Sequence, residues 1–250
     1  MGNVRIIPVL LLNRGGLYKT IKFKNPKYIG DPINSVKIFN EKEADELLLL
    51  DYRASIERRD PDYEKIAEIA GEAFMPMAYG GGIRHLENAK RVFSCGYEKV
   101  VLNTILFDDL NLIERIASIY GAQAVVGCID FTKSFFKSNR AYSYSGTKKS
   151  SFTPLQWAKN LENAGVGEII VNSIDNDGTW KGYSLEIISE ISQNVKVPVI
   201  ACGGAGRLED FEAAVRAGAS AVAAGSMFVF QKKGLGVLIS FPSDLQIPNN

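Results

Sequence analysis

The sequence predicts a (β/α)₈ (TIM) barrel, one domain over residues 1–250, built of two duplicated half-barrels. Eight short, near-continuous apolar runs alternate with amphipathic stretches, the pattern of parallel strands buried on both faces and joined by helices. The second half also echoes the first. MPMAYGGGIRHLENAKRVFSCGYEKVVLNTILF returns as VPVIACGGAGRLEDFEAAVRAGASAVAAGSMFV. Pro76 aligns with Pro198, Gly81 with Gly203 and Asn103–Thr104 with Gly225–Ser226, each 122 positions on (198−76, 203−81, 225−103), and Glu46 and Glu168 share that offset. A duplication of that period suggests two four-unit halves. A doubly wound open sheet is the alternative, but nothing marks a sheet edge or a lone nucleotide fingerprint.

In chain order, strands are expected at 5–12 (RIIPVLLL), 46–51 (ELLLLD), 76–79 (PMAY) and 99–102 (KVVL). The second four are expected at 124–130 (AVVGCID), 168–172 (EIIVN), 198–201 (PVIA) and 219–224 (ASAVAA). Amphipathic stretches at 61–73, 86–95, 110–120, 154–164, 185–194 and 208–217 read as the helices between them. No linker, low-complexity tract or charge block divides the chain.

Composition bounds the function. Hydrophobic residues make up 46% and charged residues 23%, ordinary for a globular domain with a good core. A net charge of +1 gives no case for a nucleic-acid partner or an anionic membrane surface. No apolar run reaches the ~18 residues of a membrane helix. MGNVRIIPVLLLN lacks a signal-peptide cleavage site and, with no Ser or Thr at position six, a myristoylation signal; it reads as a buried first strand. Cys95, Cys128 and Cys202 are odd in number and widely spaced, so free thiols in a reducing cytoplasm are expected. His85 is the sole histidine, which makes a zinc site improbable, and the sequence asks for no cofactor.

Two glycine clusters carry chemistry. Gly80-Gly81-Gly82 and Gly203-Gly204, the latter followed by Ala205-Gly206, each follow a strand and precede a helix. Glycine lets backbone N–H groups approach an anion, and the next helix N-terminus favours negative charge. The next strand of each half ends in Asn103-Thr104 or Gly225-Ser226. Gly81, Gly82, Asn103 and Thr104, with Gly203, Gly204, Gly225 and Ser226, are therefore the expected phosphate-binding residues. Their two-fold placement implies a phosphorylated small molecule with a phosphate at each end, or phosphate ions. Turn geometry alone is the bland reading of each cluster.

RII, GDP at 30–32, DELLLLD, GGGI, NT, YGAQAVVGCID, YSYSG, SIDNDGT and ACGGAG occur together and in order. Over residues 4–230 the chain resembles the HisF family, the cyclase subunit of imidazole glycerol phosphate synthase. The resemblance implies a bis-phosphorylated substrate and a glutaminase partner that sends ammonia through the barrel. It implies two catalytic aspartates, at the ends of strands 1 and 5. The strand 5 position is Asp130, but the strand 1 position falls on Leu11, within PVLLLN. Leucine exchanges no proton, and neither Asn13, which does not titrate, nor Arg14, which stays protonated, is a substitute. Asp130 also has a bland reading, as a polar strand end.

Other positions follow from the same resemblance. Lys19 matches a lysine of the loop that closes over substrate, against the reading of a solvated lysine in a flexible basic loop. Asp51, Ser145, Gly146 and Asp177 match pocket residues, although Asp177-Gly178 is also a common turn pair. Asn172 and Cys202 replace Thr and Ser; a buried structural thiol is the commoner role for such a cysteine. GLGVLISFPSDLQ departs from the family's last helix. Arg5, Glu46, Lys99 and Glu168 match a ring of alternating charges that admits ammonia at the base of the barrel, where two salt-bridged pairs are expected. A ring serving stability alone is the alternative. His85 reads as a surface residue. Thr147-Lys148-Lys149 reads as a solvated loop, with contact to a nucleotide sugar or a partner as the functional alternative.

An intact gate, two phosphate cradles and a missing proton carrier look like the HisF-like paralogue of surface-polysaccharide pathways. That paralogue works with a HisH-like glutaminase to supply ammonia to an N-acetyl sugar amidotransferase. The competing readings are a true cyclase of histidine biosynthesis and a phosphosugar isomerase-like barrel; Leu11 argues against both, and the ring against the isomerase.

Overall fold

The computed structural model describes residues 4–133, 139–231 and 236–241. In chain order its strands are β1 (Arg5–Asn13), β2 (Gly16–Ile21), β3 (Lys24–Gly30), β4 (Leu47–Asp51), β5 (Met77–Gly80) and β6 (Lys99–Leu102). They continue as β7 (Val125–Thr132), β8 (Arg140–Ser143), β9 (Lys148–Lys149), β10 (Glu168–Ser173), β11 (Val199–Cys202) and β12 (Ala221–Ala224). The helices are α1 (Pro32–Glu41), α2 (Ala54–Glu57), α3 (Tyr63–Ala70), α4 (Leu86–Ser94), α5 (Asn111–Tyr120), α6 (Pro154–Asn163), α7 (Leu185–Ser192), α8 (Leu208–Arg216) and α9 (Ser226–Val229). Two 3₁₀ turns span Thr104–Phe107 and Ala122–Ala124.

Eight strands pair in parallel in the circular order β1–β4–β5–β6–β7–β10–β11–β12, and β12 returns to β1. Every expected barrel strand forms within two residues of its expected ends. The helices also form, up to three residues shorter at an end, because their flanks are turns rather than continued periodicity. Two antiparallel hairpins were not expected. β2–β3 extends from β1, and β8–β9 extends from β7. The basic segment after the first strand is thus ordered pairing, not a flexible loop. Helix α1 was also unexpected, although its start signals are in the sequence. Asp31 accepts from the Asn34 N–H at 3.0 Å, and Pro32 fills the first turn.

The 122-residue echo is carried into the backbone. α3 and α7, β5 and β11, α4 and α8, β6 and β12, and the 104–107 turn and α9 each begin 122 residues apart (185−63, 199−77, 208−86, 221−99, 226−104). The chain departs from a regular eighth unit only after α9. Residues 236–241 are not helical, and the Leu238 N–H donates to the Val229 carbonyl at 3.1 Å. The rest of GLGVLISFPSDLQ lies outside the described residues.

Two packed layers result. Ile7, Val9, Leu11, Leu48, Val101, Val126, Ile170 and Ile200 fill the barrel interior, with Ala78, Ala221 and Ala223 leaving them room. A larger layer lies between strands and helices, where Trp157 stacks on Phe107 and Phe152 with ring centroids 4.2 and 5.1 Å away. Among the described residues no helix is long and apolar enough to cross a membrane.

Candidate functional site

A cavity open to solvent lies at the C-terminal ends of the barrel strands, and all eight contribute to its lining. On β7, alternation turns both Cys128 and Asp130 inward. Asp130 accepts from the Asn172 side-chain amide at 2.8 Å and from that of Asn103 at 2.7 Å, while the Cys128 sulfur lies 3.8 Å away. Burial pushes its carboxyl up to about 6, against the opposing effect of these donors and with help from the negative charge of Asp177. A carboxyl held there accepts and returns protons near neutral pH.

Strand register identifies its counterpart. β1 sets Leu11 beside Leu50, and β7 sets Asp130 beside Asn172. Leu50 and Asn172 are 122 positions apart, so Leu11 stands in the first half where Asp130 stands in the second. Leu11 packs in the interior apolar layer, with Leu50, Tyr52 and Cys202 against it. Asp51, Asp130 and Asp177 are the carboxylates lining the cavity among the described residues. Asp51 is committed elsewhere: Arg59 holds it by two nitrogens at 3.1 and 3.2 Å, and the Arg53 and Ala54 N–H groups donate to it. Asp177 is committed too. Lys19 meets it at 2.8 Å, and the Thr20 hydroxyl donates at 3.2 Å. Among the described residues, each lining carboxylate other than Asp130 is thus held in an ion pair.

Lys19 is 6% exposed on β2, which corrects the solvated reading. Its ion pair with Asp177 and the Lys22 N–H to Asp177 carbonyl bond (2.9 Å) lay the first hairpin across the mouth. The Ser145 hydroxyl donates to the Tyr52 carbonyl at 2.6 Å, which ties the second hairpin to the opposite rim. Cys202 lines the cavity, but burial pushes its thiol up to about 12, so it stays protonated and a nucleophilic role is disfavoured.

All eight expected phosphate-binding residues line the same cavity. Packing alone already requires glycine at four of them, Gly81, Gly82, Gly203 and Gly204. Gly82 and Gly204 have φ of +73° and +118°, and a Cβ there would lie 2.6 and 2.2 Å from the carbonyl oxygens of Arg59 and Gly182. The helix N-termini that follow are already capped. Asn88 accepts from the Arg84 and His85 N–H groups, and Asp210 accepts from those of Gly206 and Arg207. Two side chains point elsewhere than expected: the Asn103 amide goes to Asp130, and the Thr104 hydroxyl oxygen accepts from the Tyr144 N–H at 3.0 Å.

At the opposite end, Arg5, Glu46, Lys99 and Glu168 close a ring. Arg5 bonds Glu46 at 2.5 Å and also bonds Glu168; Lys99 bonds the same two carboxylates at 3.0 and 2.9 Å. Each cation bridges both anions, rather than forming the two separate pairs expected. Burial works against the Arg5 charge, but Glu168 and Glu46 outweigh it and raise its pKa.

Residues 5–233 match the family model described as "Histidine biosynthesis protein". The chain is 56% identical over 239 residues, 95% of each chain, to "Putative imidazole glycerol phosphate synthase subunit hisF2" of Pseudomonas aeruginosa. It is 47% identical over 244 residues, 96% of this chain and 93% of the relative, to "Putative imidazole glycerol phosphate synthase subunit hisF3" of Vibrio vulnificus. Over 232 residues, 92% of each chain, it is 39% identical to "Imidazole glycerol phosphate synthase subunit HisF" of Pelodictyon phaeoclathratiforme. The chain belongs to the HisF family.

Of the pocket residues taken from the HisF resemblance, Lys19, Asp51, Ser145, Asn172, Asp177 and Cys202 line the cavity, whereas Gly146 is not among its lining residues. Sequence reasoning missed their partners. Arg59 lies eight residues beyond Asp51 and reads as an ordinary helix-flanking charge. Thr20 adjoins Lys19 but carries no motif. The clamp of Asn103 and Asn172 on Asp130 joins residues 69 apart (172−103), which spacing does not reveal.

Proposed function

We propose that this chain is a HisF-like ammonia-channelling subunit. In this reading it works with a HisH-like glutaminase to supply ammonia for amidation of an N-acetyl sugar in surface-polysaccharide biosynthesis, in the cytoplasm. One observation carries the reading: Leu11 holds the register position of a proton carrier while the basal ring of Arg5, Glu46, Lys99 and Glu168 is complete. The apolar interior between ring and mouth suits neutral ammonia, since an unpaired ammonium ion is disfavoured there. Ammonia entering at the base would reach a pocket whose lining carboxyls, Asp130 apart, are held in ion pairs. It would find no second acid–base group for ring closure, and so would leave at the mouth for a separate sugar amidotransferase. The glycine loops, with Thr104 and Ser226, would still take phosphate at either side of the mouth.

A second reading is a cyclase of histidine biosynthesis. It is favoured by the retained Asp130, held near pKa 6 by burial, and by the relatives named for that synthase. Expression in a histidine auxotroph lacking the cyclase separates the two. Channelling predicts no growth without histidine, and predicts ¹⁵N passing from glutamine amide to an N-acetyl sugar when glutaminase and amidotransferase are added. Growth of the auxotroph overturns the channelling reading.

A further inference from the structure

Charge is spread unevenly over this chain. Residues 13–30 and 139–153, which contain the two hairpins, carry eight Lys and Arg and no Asp or Glu. The remainder then has 21 Lys and Arg against 28 Asp and Glu, a formal −7. The hairpins meet over the mouth, where the Phe23 ring lies 3.2 Å from the point a Cβ on Gly146 would occupy. Lys22, Lys24, Lys27, Lys148 and Lys149 are exposed, and among the described residues none is in an ion pair. Between the lysines of the first hairpin, Ile21 and Tyr28 are 55% and 58% exposed.

Edge protection explains part of this. β3 and β9 each pair with a single neighbour, and lysine or proline on such a strand discourages unwanted pairing. It does not explain the absence of any carboxylate, since charges of either sign serve that purpose, nor the exposed Tyr28 and Ile21. A small phosphorylated ligand is served by the loops inside the cavity and gains little from cations on the outer strand β3.

The following rests on the channelling reading above. With Leu11 in place, ammonia must be consumed beyond the mouth. Ammonia released into neutral water is protonated and loses its nucleophilic lone pair, so delivery requires that the exit be covered by the consuming enzyme. We propose that the two hairpins form a docking face for an acidic surface of that ammonia-accepting enzyme. The exposed lysines attract and orient it, and Tyr28 and Ile21 supply apolar contact.

The test is the quadruple variant Lys24→Glu, Lys27→Glu, Lys148→Glu, Lys149→Glu, with the matching Lys→Gln set as a neutral control. Each is mixed with the HisH-like glutaminase and the sugar amidotransferase, and ¹⁵N transfer from glutamine is followed. The charge-reversed set should lower glutamine-dependent transfer about ten-fold or more. The Gln set should fall in between, and added salt should slow only the wild type. Glutaminase turnover, amidotransferase activity on free ammonium and the unfolding midpoint should not change. Equal transfer by wild type and both variants overturns the docking face and leaves channelling standing. So does a variant that loses affinity for inorganic pyrophosphate while its co-sedimentation with the amidotransferase is unchanged, which makes the lysines a small-anion site. No transfer in the wild-type mixture sinks channelling and this inference together.

Discussion

In the first half-barrel β1 sets Leu11 beside Leu50; in the second, β7 sets Asp130 beside Asn172, and Leu50 and Asn172 stand 122 residues apart, the period of the repeat. One pair is hydrocarbon. The other is a carboxyl held by amide donors and pushed up to about 6 by burial. The difference shows that strand register and proton chemistry separate cleanly. Register is set by main-chain pairing and interior volume, which leucine satisfies, whereas the chemistry belongs to one side chain and leaves with it.

The largest expected effect comes from making the halves alike. Leu11→Asp places a second carboxyl in the matching register. Ammonium-dependent cyclase turnover should rise by about 10²–10⁴-fold if nothing else is missing. Burying that carboxyl beside Leu50 should lower stability by about 1–3 kcal/mol. If turnover does not rise, the halves differ by more than one residue, and Leu50→Asn, which copies Asn172, is the next change to add.

The halves should also differ in how they respond to pH. A carboxyl near 6 in the folded chain and about 4 when unfolded binds more protons folded. Its contribution is therefore fully present below about pH 4 and lost as pH rises through 6. The span is about 3 kcal/mol. Urea unfolding across pH 4–7 should show that decline, and Asp130→Asn should remove it. A profile unchanged by Asp130→Asn would mean the carboxyl is not titrating there.

Where the halves share backbone they should respond alike. Gly82→Ala and Gly204→Ala each force a Cβ onto a carbonyl oxygen at positive φ. Each should cost about 2–3 kcal/mol in chemical denaturation. Ser226→Ala removes only a hydroxyl; it should leave stability within about 1 kcal/mol and weaken inorganic phosphate binding. If it does not weaken that binding, the glycine loops are turns and nothing more.

Which parts of the molecule were legible follows from the same separation. Barrel strands were readable because burial on both faces leaves uninterrupted apolar runs such as Leu47–Asp51. The β2–β3 hairpin was not, because β3 is exposed along most of its length and carries no apolar pattern. Gly81, Gly203 and Asp130 could be placed from strand ends and repeats. The commitment of Asp51 to Arg59, and of Lys19 to Asp177, could not, since both depend on where loops fold back. The HisF resemblance implied four charges at the barrel base; that each cation bridges both carboxylates emerges only in three dimensions.

That ring supplies the smallest expected effect and the sharpest division between stability and passage. Both its cations, Arg5 and Lys99, come from the first half, and one carboxylate comes from each half. Lys99→Met leaves Glu46 and Glu168 to share Arg5. Because Arg5 stays partly exposed, the cost should be about 1–2 kcal/mol, below that of a fully buried pair. Adding Glu168→Leu restores neutrality with hydrocarbon, and stability should return to within about 0.5 kcal/mol of wild type, since such replacements are often neutral. Glutamine-dependent ammonia transfer should stay impaired in the double variant, because two leucine-sized side chains close the base where a polar ring had stood. Transfer that recovers together with stability would show that Arg5, Glu46, Lys99 and Glu168 hold the barrel shut and do not meter what passes through it.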